Sequence, residues 1–159
     1  MLVEIVRLNA LPGDGLAGLV AEAERDGWRF VRRLAEEWAS GANRFDGPGE
    51  ALFAAVAAGR VIGVCGLTAD PYAAAARVGR VRRLYVAAAN RRAGVGRRLV
   101  GEVIRAARGP FDVHRLRTKD AAAARFYAGL GFLPSGGVPD CTHVMDLRPI
   151  PDREHLPVG

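Results

Sequence analysis

The spacing of hydrophobic and polar residues predicts two helices behind a first strand in the N-terminal third of the chain. Residues 2–8 alternate between apolar and polar side chains, which is typical of a half-buried strand. Asp14 is then followed by apolar residues at helical spacing, so we expect it to cap a first helix. Gly27 interrupts that helix, and a second one carries Trp28 and Trp38 on its apolar face before Gly41 ends it.

The middle of the chain predicts a hairpin and then a strand that leads into a helix. Residues 51–58 and 61–68 are two apolar stretches joined by a tight turn at Gly59 and Arg60. Residues 78–86 are rich in β-forming side chains. Apolar residues at helical spacing follow, and this helix runs to about Arg108.

The C-terminal third predicts two further strands around one helix. Residues 113–118 alternate weakly, and residues 142–147 form the last expected strand. Between them, Asp120 is a good N-cap for a helix over residues 121–130. The order of strands, hairpin and helices predicts an α/β fold with a single sheet of mixed strand direction.

Length and composition indicate one globular domain. The chain has 159 residues, of which 50% are hydrophobic and 25% charged. We expect a single domain over residues 1–147 and a loose, proline-containing tail over residues 148–159. No stretch is apolar enough to span a membrane, and Glu4 and Arg7 argue against a secretory signal. The two cysteines form no disulfide framework, so a cytoplasmic protein with reduced thiols is expected.

The turn between the strand over residues 78–86 and the helix that follows it carries the most informative residues of the chain. Residues 91–96 read Arg-Arg-Ala-Gly-Val-Gly, and they connect the strand over residues 78–86 to a helix start. Backbone N–H groups at a helix start attract anions, and Gly94 and Gly96 let a ligand approach the backbone closely. The net charge of +6 comes almost entirely from arginine and also favours an anionic ligand. A sharp turn with solvated arginines is the alternative interpretation.

This motif resembles the pyrophosphate loop of the GNAT superfamily of N-acetyltransferases, Gln/Arg-x-x-Gly-x-Gly/Ala. The series of strand, loop, helix, strand, Ala124-Arg125-Phe126-Tyr127 and Gly131-Phe132 resembles the C-terminal half of that family over roughly residues 78–133. The resemblance implies a mostly antiparallel central sheet flanked by helices, and acetyl-CoA as co-substrate without a metal. It further implies a cofactor site made of strand-end, loop and helix-cap residues: Leu84, Tyr85, Val86, Arg91, Arg92, Ala93, Gly94, Val95, Gly96, Arg97 and Asp120.

Tyr127 is the candidate catalytic residue. It matches the tyrosine that many family members use as a general acid toward the departing thiolate. A phenol with a pKa of about 10 is protonated at neutral pH, as that role requires. A core tyrosine is the alternative, just as a helix cap is the alternative for Asp120, where many relatives have asparagine.

The general base and the acceptor pocket are less well marked. Arg82 and Arg83 stand where the family often places a catalytic glutamate, which leaves Asp70, Glu50, His143, Asp140 or an ordered water as candidates. Phe30 is predicted to contact the acceptor, because early helices line that pocket in the family. His143, near the last strand, is a second residue predicted on the acceptor side. For His143, packing beside the last strand is the alternative.

The sequence features are compatible with three functions. The leading one is an N-acetyltransferase that moves the acetyl group directly to a primary amine in a ternary complex, acting as a monomer or homodimer. A non-catalytic CoA-binding sensor is favoured by the missing glutamate. A basic nucleic-acid-binding domain is favoured by net charge alone, but no pattern of stacking aromatic residues accompanies the arginines. We thus expect an amine of small-molecule or peptide origin, no specific nucleic acid and no membrane as partners.

Overall fold

One seven-stranded sheet with helices on both faces forms the protein. The computed structural model describes residues 2–14 and 16–149. Its strands are β1 Glu4–Arg7, β2 Ala51–Ala57, β3 Arg60–Ala69, β4 Val78–Val86, β5 Val113–Leu116, β6 Leu133–Pro134 and β7 His143–Asp146. Its helices are α1 Ala17–Arg25, α2 Phe30–Ser40, α3 Val95–Ala107 and α4 Ala121–Gly129. No helix among these residues is long and apolar enough to cross a bilayer.

The strand order is β1-β2-β3-β4-β5-β7-β6, and only β4 and β5 are parallel neighbours. Parallel strands need a crossover, and α3 supplies it here. The two strands pair at only three positions, which end at Arg80 opposite Arg115. Residues 81–86 of β4 therefore have no partner on the β5 side, and the sheet opens between these strands. The predicted mixed, mostly antiparallel sheet is confirmed.

Two apolar clusters fill the two faces of the sheet. On the face covered by α3 and α4, Leu99 and Phe132 are almost completely buried. On the face covered by α1 and α2, Leu34 and Leu52 are buried to the same degree. We call these the α3 face and the α2 face. Since side chains alternate along a strand, each strand contributes to both clusters.

The N-terminal predictions hold for the elements and fail at three boundaries. The hairpin turn lies one residue earlier than predicted, at Ala58 and Gly59, and Arg60 already belongs to β3. Both turn residues have positive φ, as two-residue hairpin loops require. Asp14 does not cap α1: Leu16 occupies the N-cap position, and the Asp14 carboxylate accepts a hydrogen bond from its N–H. Trp28 was expected on the apolar face of the second helix. That helix begins only at Phe30, so Trp28 lies in the connection and is 51% exposed.

In the C-terminal half, the observed elements agree more closely with the predicted ones. The predicted strand over residues 78–86 is β4 itself, and the Asp120 carboxylate caps α4 by accepting from the N–H groups of Ala122 and Ala123. The short strand β6 was not predicted. The buried face of α4 centres on Tyr127. Residues 150–159 of the predicted tail lie outside the described residues.

Candidate functional site

A bulge in β4 marks the place where the sheet opens. Between Arg82 and Tyr85, β4 contains one residue more than the facing segment of β3, and Arg83 takes up the difference at a φ of 60°. As a result, Leu84 and Val86 pack on the α3 face while the Tyr85 side chain packs on the α2 face. The backbone of residues 84–86, predicted to meet the cofactor, thus runs along the free edge of β4.

The loop after β4 leads to an uncapped helix start. A short 3-10 turn, Ala88–Asn90, is followed by Arg92 and Gly94 at positive φ, and Gly94 is the N-cap of α3. No side chain caps this helix, and no acidic residue lies in its first turn. The first backbone hydrogen bond of the helix is donated by the Arg98 N–H to the Gly94 carbonyl, 3.0 Å away. Three earlier N–H groups remain for a ligand, beside about half a positive charge from the helix dipole.

Three elements meet at Gly96. A Cβ atom added there would lie 3.6 Å from the Phe126 ring and 3.7 Å from Val86. The start of α3, the end of β4 and α4 therefore converge on one residue of the loop. The structure thus brings the predicted loop residues close to the helix that carries Tyr127.

The arginines of the loop divide into two groups. Arg91 folds back: its Nε donates to the Val86 carbonyl at 2.9 Å, and its Nη2 lies 3.6 Å from Asp26. Arg92 and Arg97 are exposed and form no ion pair among residues 2–14 and 16–149. Arg91 therefore ties the loop to α1, while the other two are available to an approaching anion. Val95 is buried beneath them, and Ala93 is exposed.

The Glu22 carboxylate on α1 binds the end of β4 and the start of the same loop. Glu22 Oε2 accepts from the Tyr85 hydroxyl and from the Ala88 N–H, the latter at 3.1 Å. Burial first, and then the bond to Glu22, raise the pKa of Tyr85 above its usual range. Glu22 and Asp26 could not be predicted from the sequence, because they lie about sixty residues before the loop and no local pattern connects them to it.

The side chain of Tyr127, the predicted proton donor, is buried on the α3 face. It is 7% exposed, and its ring centroid lies 5.1 Å from that of Phe126 and 5.7 Å from that of Phe132. Burial, with a smaller contribution from nearby Cys65, raises the pKa of Tyr127 above the usual value of 10. None of the hydrogen bonds within the described chain engages its hydroxyl. The phenol is therefore protonated at all ordinary pH values and has a free hydroxyl.

The other predicted site residues lie around this core. Asp120 caps α4 and is exposed, so its carboxylate already has backbone partners. Phe30, at the start of α2, is half-buried, and its ring centroid is 6.1 Å from that of Tyr85. His143 pairs with Leu116 across β5 and β7, and its Nδ1 lies 2.8 Å from the Thr142 hydroxyl.

Two of the candidate bases have structural partners. Asp70 is completely buried between the guanidinium groups of Arg80 and Arg115. Glu50 accepts from two backbone N–H groups, those of Gly47 and Ala69. Neither carboxylate is positioned as a free proton acceptor. No group of three potential metal ligands is found in the part of the chain that the structure describes.

The chain is similar in sequence and in fold to known proteins. Residues 48–134 match the family model described as an acetyltransferase (GNAT) domain. A candidate acetyltransferase from Exiguobacterium sp. 255-15 is 29% identical and superposes with a TM-score of 0.81, over 92% of this chain and 94% of that one. PaiA N-acetyltransferase from Thermoplasma acidophilum, solved with coenzyme A, is 17% identical, with a TM-score of 0.66 over 93% and 100% of the two chains. No curated protein sequence matches the chain significantly.

A further similar structure belongs to a longer protein. N-acetylglutamate synthase from Neisseria gonorrhoeae was solved with coenzyme A and N-acetyl-glutamate. It is 19% identical, with a TM-score of 0.66, over 94% of this chain but 36% of that chain. At this identity the likeness establishes a shared fold.

Proposed function

The chain belongs to the GNAT family of acetyltransferases, and from this premise we propose that it transfers the acetyl group of acetyl-CoA to a primary amine. The observation that carries the proposal is the uncapped start of α3 at an exposed, arginine-bearing loop. Unpaired N–H groups and the positive end of a helix dipole suit a pyrophosphate. Two similar structures contain coenzyme A, which supports the same ligand here.

The remaining cofactor residues fit an extended thioester. Beyond Arg80, β4 has no partner on its β5 side, so the backbone at Leu84, Tyr85 and Val86 is available to hydrogen-bond a bound carbonyl. We assign Arg92, Ala93, Gly94, Val95, Gly96 and Arg97 to the pyrophosphate, and Arg91 to fixing the loop. Asp120 contributes by capping the helix that carries Tyr127.

The transfer is assigned as a direct one. The amine nitrogen forms a bond to the thioester carbon, the carbon–sulfur bond breaks, and the departing thiolate takes the Tyr127 proton. The amine proton leaves to water, and water returns a proton to the Tyr127 phenolate. Cys65 and Cys141 are both buried, and burial raises the pKa of the Cys65 thiol, so neither is suited to form an acyl-enzyme. Phe30 and His143 are assigned to the acceptor side.

A CoA-binding sensor is the second candidate. It is favoured by Arg82 and Arg83 on β4, where no carboxylate is present to deprotonate an amine. A sensor would bind CoA through the same loop and would transfer nothing.

A titration and an acceptor screen test the proposal. Calorimetry of the purified protein with CoA should give one site per chain, and acetyl-CoA with a broad panel of amines should release free thiol. A folded protein that does not bind CoA would overturn the proposal. Binding without acetyl transfer to any amine would replace the enzyme by the sensor.

A further inference from the structure

A group of arginines lies on the α2 face of the sheet where β4 and β5 part. Arg80 and Arg82 lie on β4 on either side of Val81, whose side chain packs on the α3 face. Strand alternation puts both arginines on the opposite face, beside Arg115, the β5 partner of Arg80. Arg83, in the bulge, reaches α2, where its Nη2 lies 3.3 Å from Glu37. We call Arg80, Arg82, Arg83 and Arg115 the arginine cluster.

The cluster carries more positive charge than its carboxylates compensate. Asp70, with no exposed side-chain surface, lies 3.3 Å from Arg80 and 3.1 Å from Arg115. Glu37 is the partner of Arg83 alone. Three arginine side chains, each about nine-tenths buried, therefore share two carboxylates, and Arg115 Nη2 also donates to the Pro139 carbonyl at 2.9 Å. Half-buried Arg82 has no ion pair among the described residues. Buried charge without a counterion is costly, so this arrangement favours an external anion.

Buried donors without acceptors lie in the same place. Arg83 Nε and Arg115 Nε are shielded from solvent and have no hydrogen-bond partner in the described chain. Arg115 Nε is close to Asp70, but its N–H is not aligned with the carboxylate. Thr68, the β3 partner of Arg80, is 4% exposed, and its hydroxyl is likewise unpartnered. An oxyanion is the group that would satisfy several such donors together.

The position of the cluster connects it to the proposed reaction. β4 presents the backbone of residues 84–86 at its free edge, and Arg82 precedes that segment on the same strand. The gap between β4 and β5 runs from beyond Arg80 to the end of β4, where the cofactor loop begins, and the arginines lie on the α2 face of this part of the sheet. An acceptor entering from the α2 face would bring its nitrogen to the gap and the rest of its atoms to the cluster.

We propose that the arginine cluster binds an oxyanion of the acceptor, so that the substrate class is a primary amine bearing a carboxylate or phosphate group. This inference rests on the proposed acetyltransferase function. Guanidinium groups match both oxyanions with paired N–H donors. The same charge repels polyamines and other cationic acceptors, which gives specificity by exclusion.

The test compares matched pairs of amines. Acetyl-CoA turnover is followed by thiol release with amino acids against their carboxamides, and with aminoalkyl phosphates against the corresponding amino alcohols. Putrescine is the cationic acceptor. We expect the anionic member of at least one pair to have the higher kcat/KM. A preference in the amino-acid pair indicates that the cluster binds a carboxylate, and a preference in the aminoalkyl phosphate pair indicates that it binds a phosphate.

Arg82→Gln and Arg105→Gln form the variant and its control. Arg105 lies on α3 with an 80% exposed side chain, away from the cluster. Arg82→Gln should lower kcat/KM for the anionic acceptor about 10- to 100-fold, and much less for its neutral partner. Comparing each variant with wild type on the same amine cancels the different basicities of the amines. Arg82→Lys, which keeps the charge without the paired donors, should fall between.

Two results would overturn the inference. Neutral or cationic amines could be acetylated with the same kcat/KM as the anionic ones, or Arg82→Gln could reduce kcat/KM equally for both members of a pair. A wild-type protein that binds CoA but acetylates no amine, or that does not bind CoA, is a different result, because it contradicts the proposed function itself. Calorimetry with CoA on each variant shows that the cofactor site is intact.

Discussion

The Tyr127 phenol combines a core position with a hydroxyl that has no partner among the described residues. In Tyr127→Phe the ring contacts persist and only a hydroxyl without a protein partner in the described chain is lost, so the free energy of unfolding should change by less than about 1 kcal/mol. Turnover should fall about 10²- to 10⁴-fold if the phenol protonates the thiolate, with CoA affinity unchanged. The control is Tyr72→Phe, at an exposed tyrosine. Equal turnover in wild type and Tyr127→Phe would remove the catalytic role.

The pH profile of turnover tests the same residue. Rates should rise with pH as the acceptor amine loses its proton. Because burial raises the pKa of Tyr127 above 10, the phenol stays protonated up to pH 10. We therefore expect kcat to reach a plateau and hold it through pH 10. A decline of kcat centred near pH 9, at unchanged fold by circular dichroism, would show that another group donates the proton.

His114 is a second residue whose environment has a measurable consequence. It is fully buried on β5, neither ring nitrogen has a hydrogen-bond partner in the described chain, and burial lowers its pKa to about 4. Above pH 6.5 the imidazole is neutral in both the folded and unfolded states, so it has no effect there. Between pH 6.5 and 4 only the unfolded chain takes up the proton, which should destabilise the fold by up to about 3 kcal/mol.

Urea unfolding at several pH values measures that effect. His114→Leu, of similar size and without a titrating group, should remove most of the loss of stability between pH 6.5 and 4. His143→Leu, at a half-buried histidine, is the matched comparison. Unchanged pH dependence in His114→Leu would assign the acid sensitivity to other groups.

At the scale of elements, the start of α3 can be tested without straining the backbone. Gly96 has an ordinary φ, and an added Cβ would meet Phe126 and Val86 at van der Waals distance. Gly96→Glu should therefore fold, and its carboxylate should weaken CoA binding by at least tenfold through repulsion at the helix start. Gly101→Glu places the same charge on an exposed part of the same helix, where nothing lies within 4 Å, and should bind as wild type does. Equal affinities of the two variants, by calorimetry, would contradict the loop assignment.

The cap of α4 is a second test at this scale. Asp120→Ala removes the acceptor of two backbone N–H groups and should reduce the free energy of unfolding by about 1 kcal/mol. Asp120→Asn keeps a capping oxygen and should be close to wild type in stability and in CoA affinity. If Asp120→Asn loses CoA affinity while remaining stable, the carboxylate has a direct role toward the ligand.

Elements with a local signal could be predicted from the sequence, and those fixed by distant contacts could not. Residues 78–86 combine β-formers with a glycine loop, and the strand was placed to the residue. Asp120 precedes a helix whose N–H groups it reaches itself. By contrast, the role of Glu22 depends on α1 packing against the end of β4, and the two-residue strand β6 exists only through its pairing with β7.

For the whole molecule, the net charge of +6 distinguishes two modes of anion binding. A nucleic-acid binder would lose affinity steeply with added salt, because binding releases counterions. We expect only weak binding to DNA or RNA, independent of sequence, in a filter or anisotropy assay at about 150 mM salt. Millimolar CoA should abolish it if the loop arginines are shared. A tight complex that CoA does not affect would favour the nucleic-acid interpretation.

The three-residue contact between β4 and β5 also has a mechanical consequence. β1 to β4 form one antiparallel part of the sheet, and β5, β7 and β6 form the other, with three paired positions joining the two parts. A pulling force applied across that seam loads three paired positions, whereas the same force within β1 to β4, or between β5 and β7, loads at least four. Under tension, and apart from the two-residue edge strand β6, the sheet should therefore yield first along the line where the proposed substrates meet.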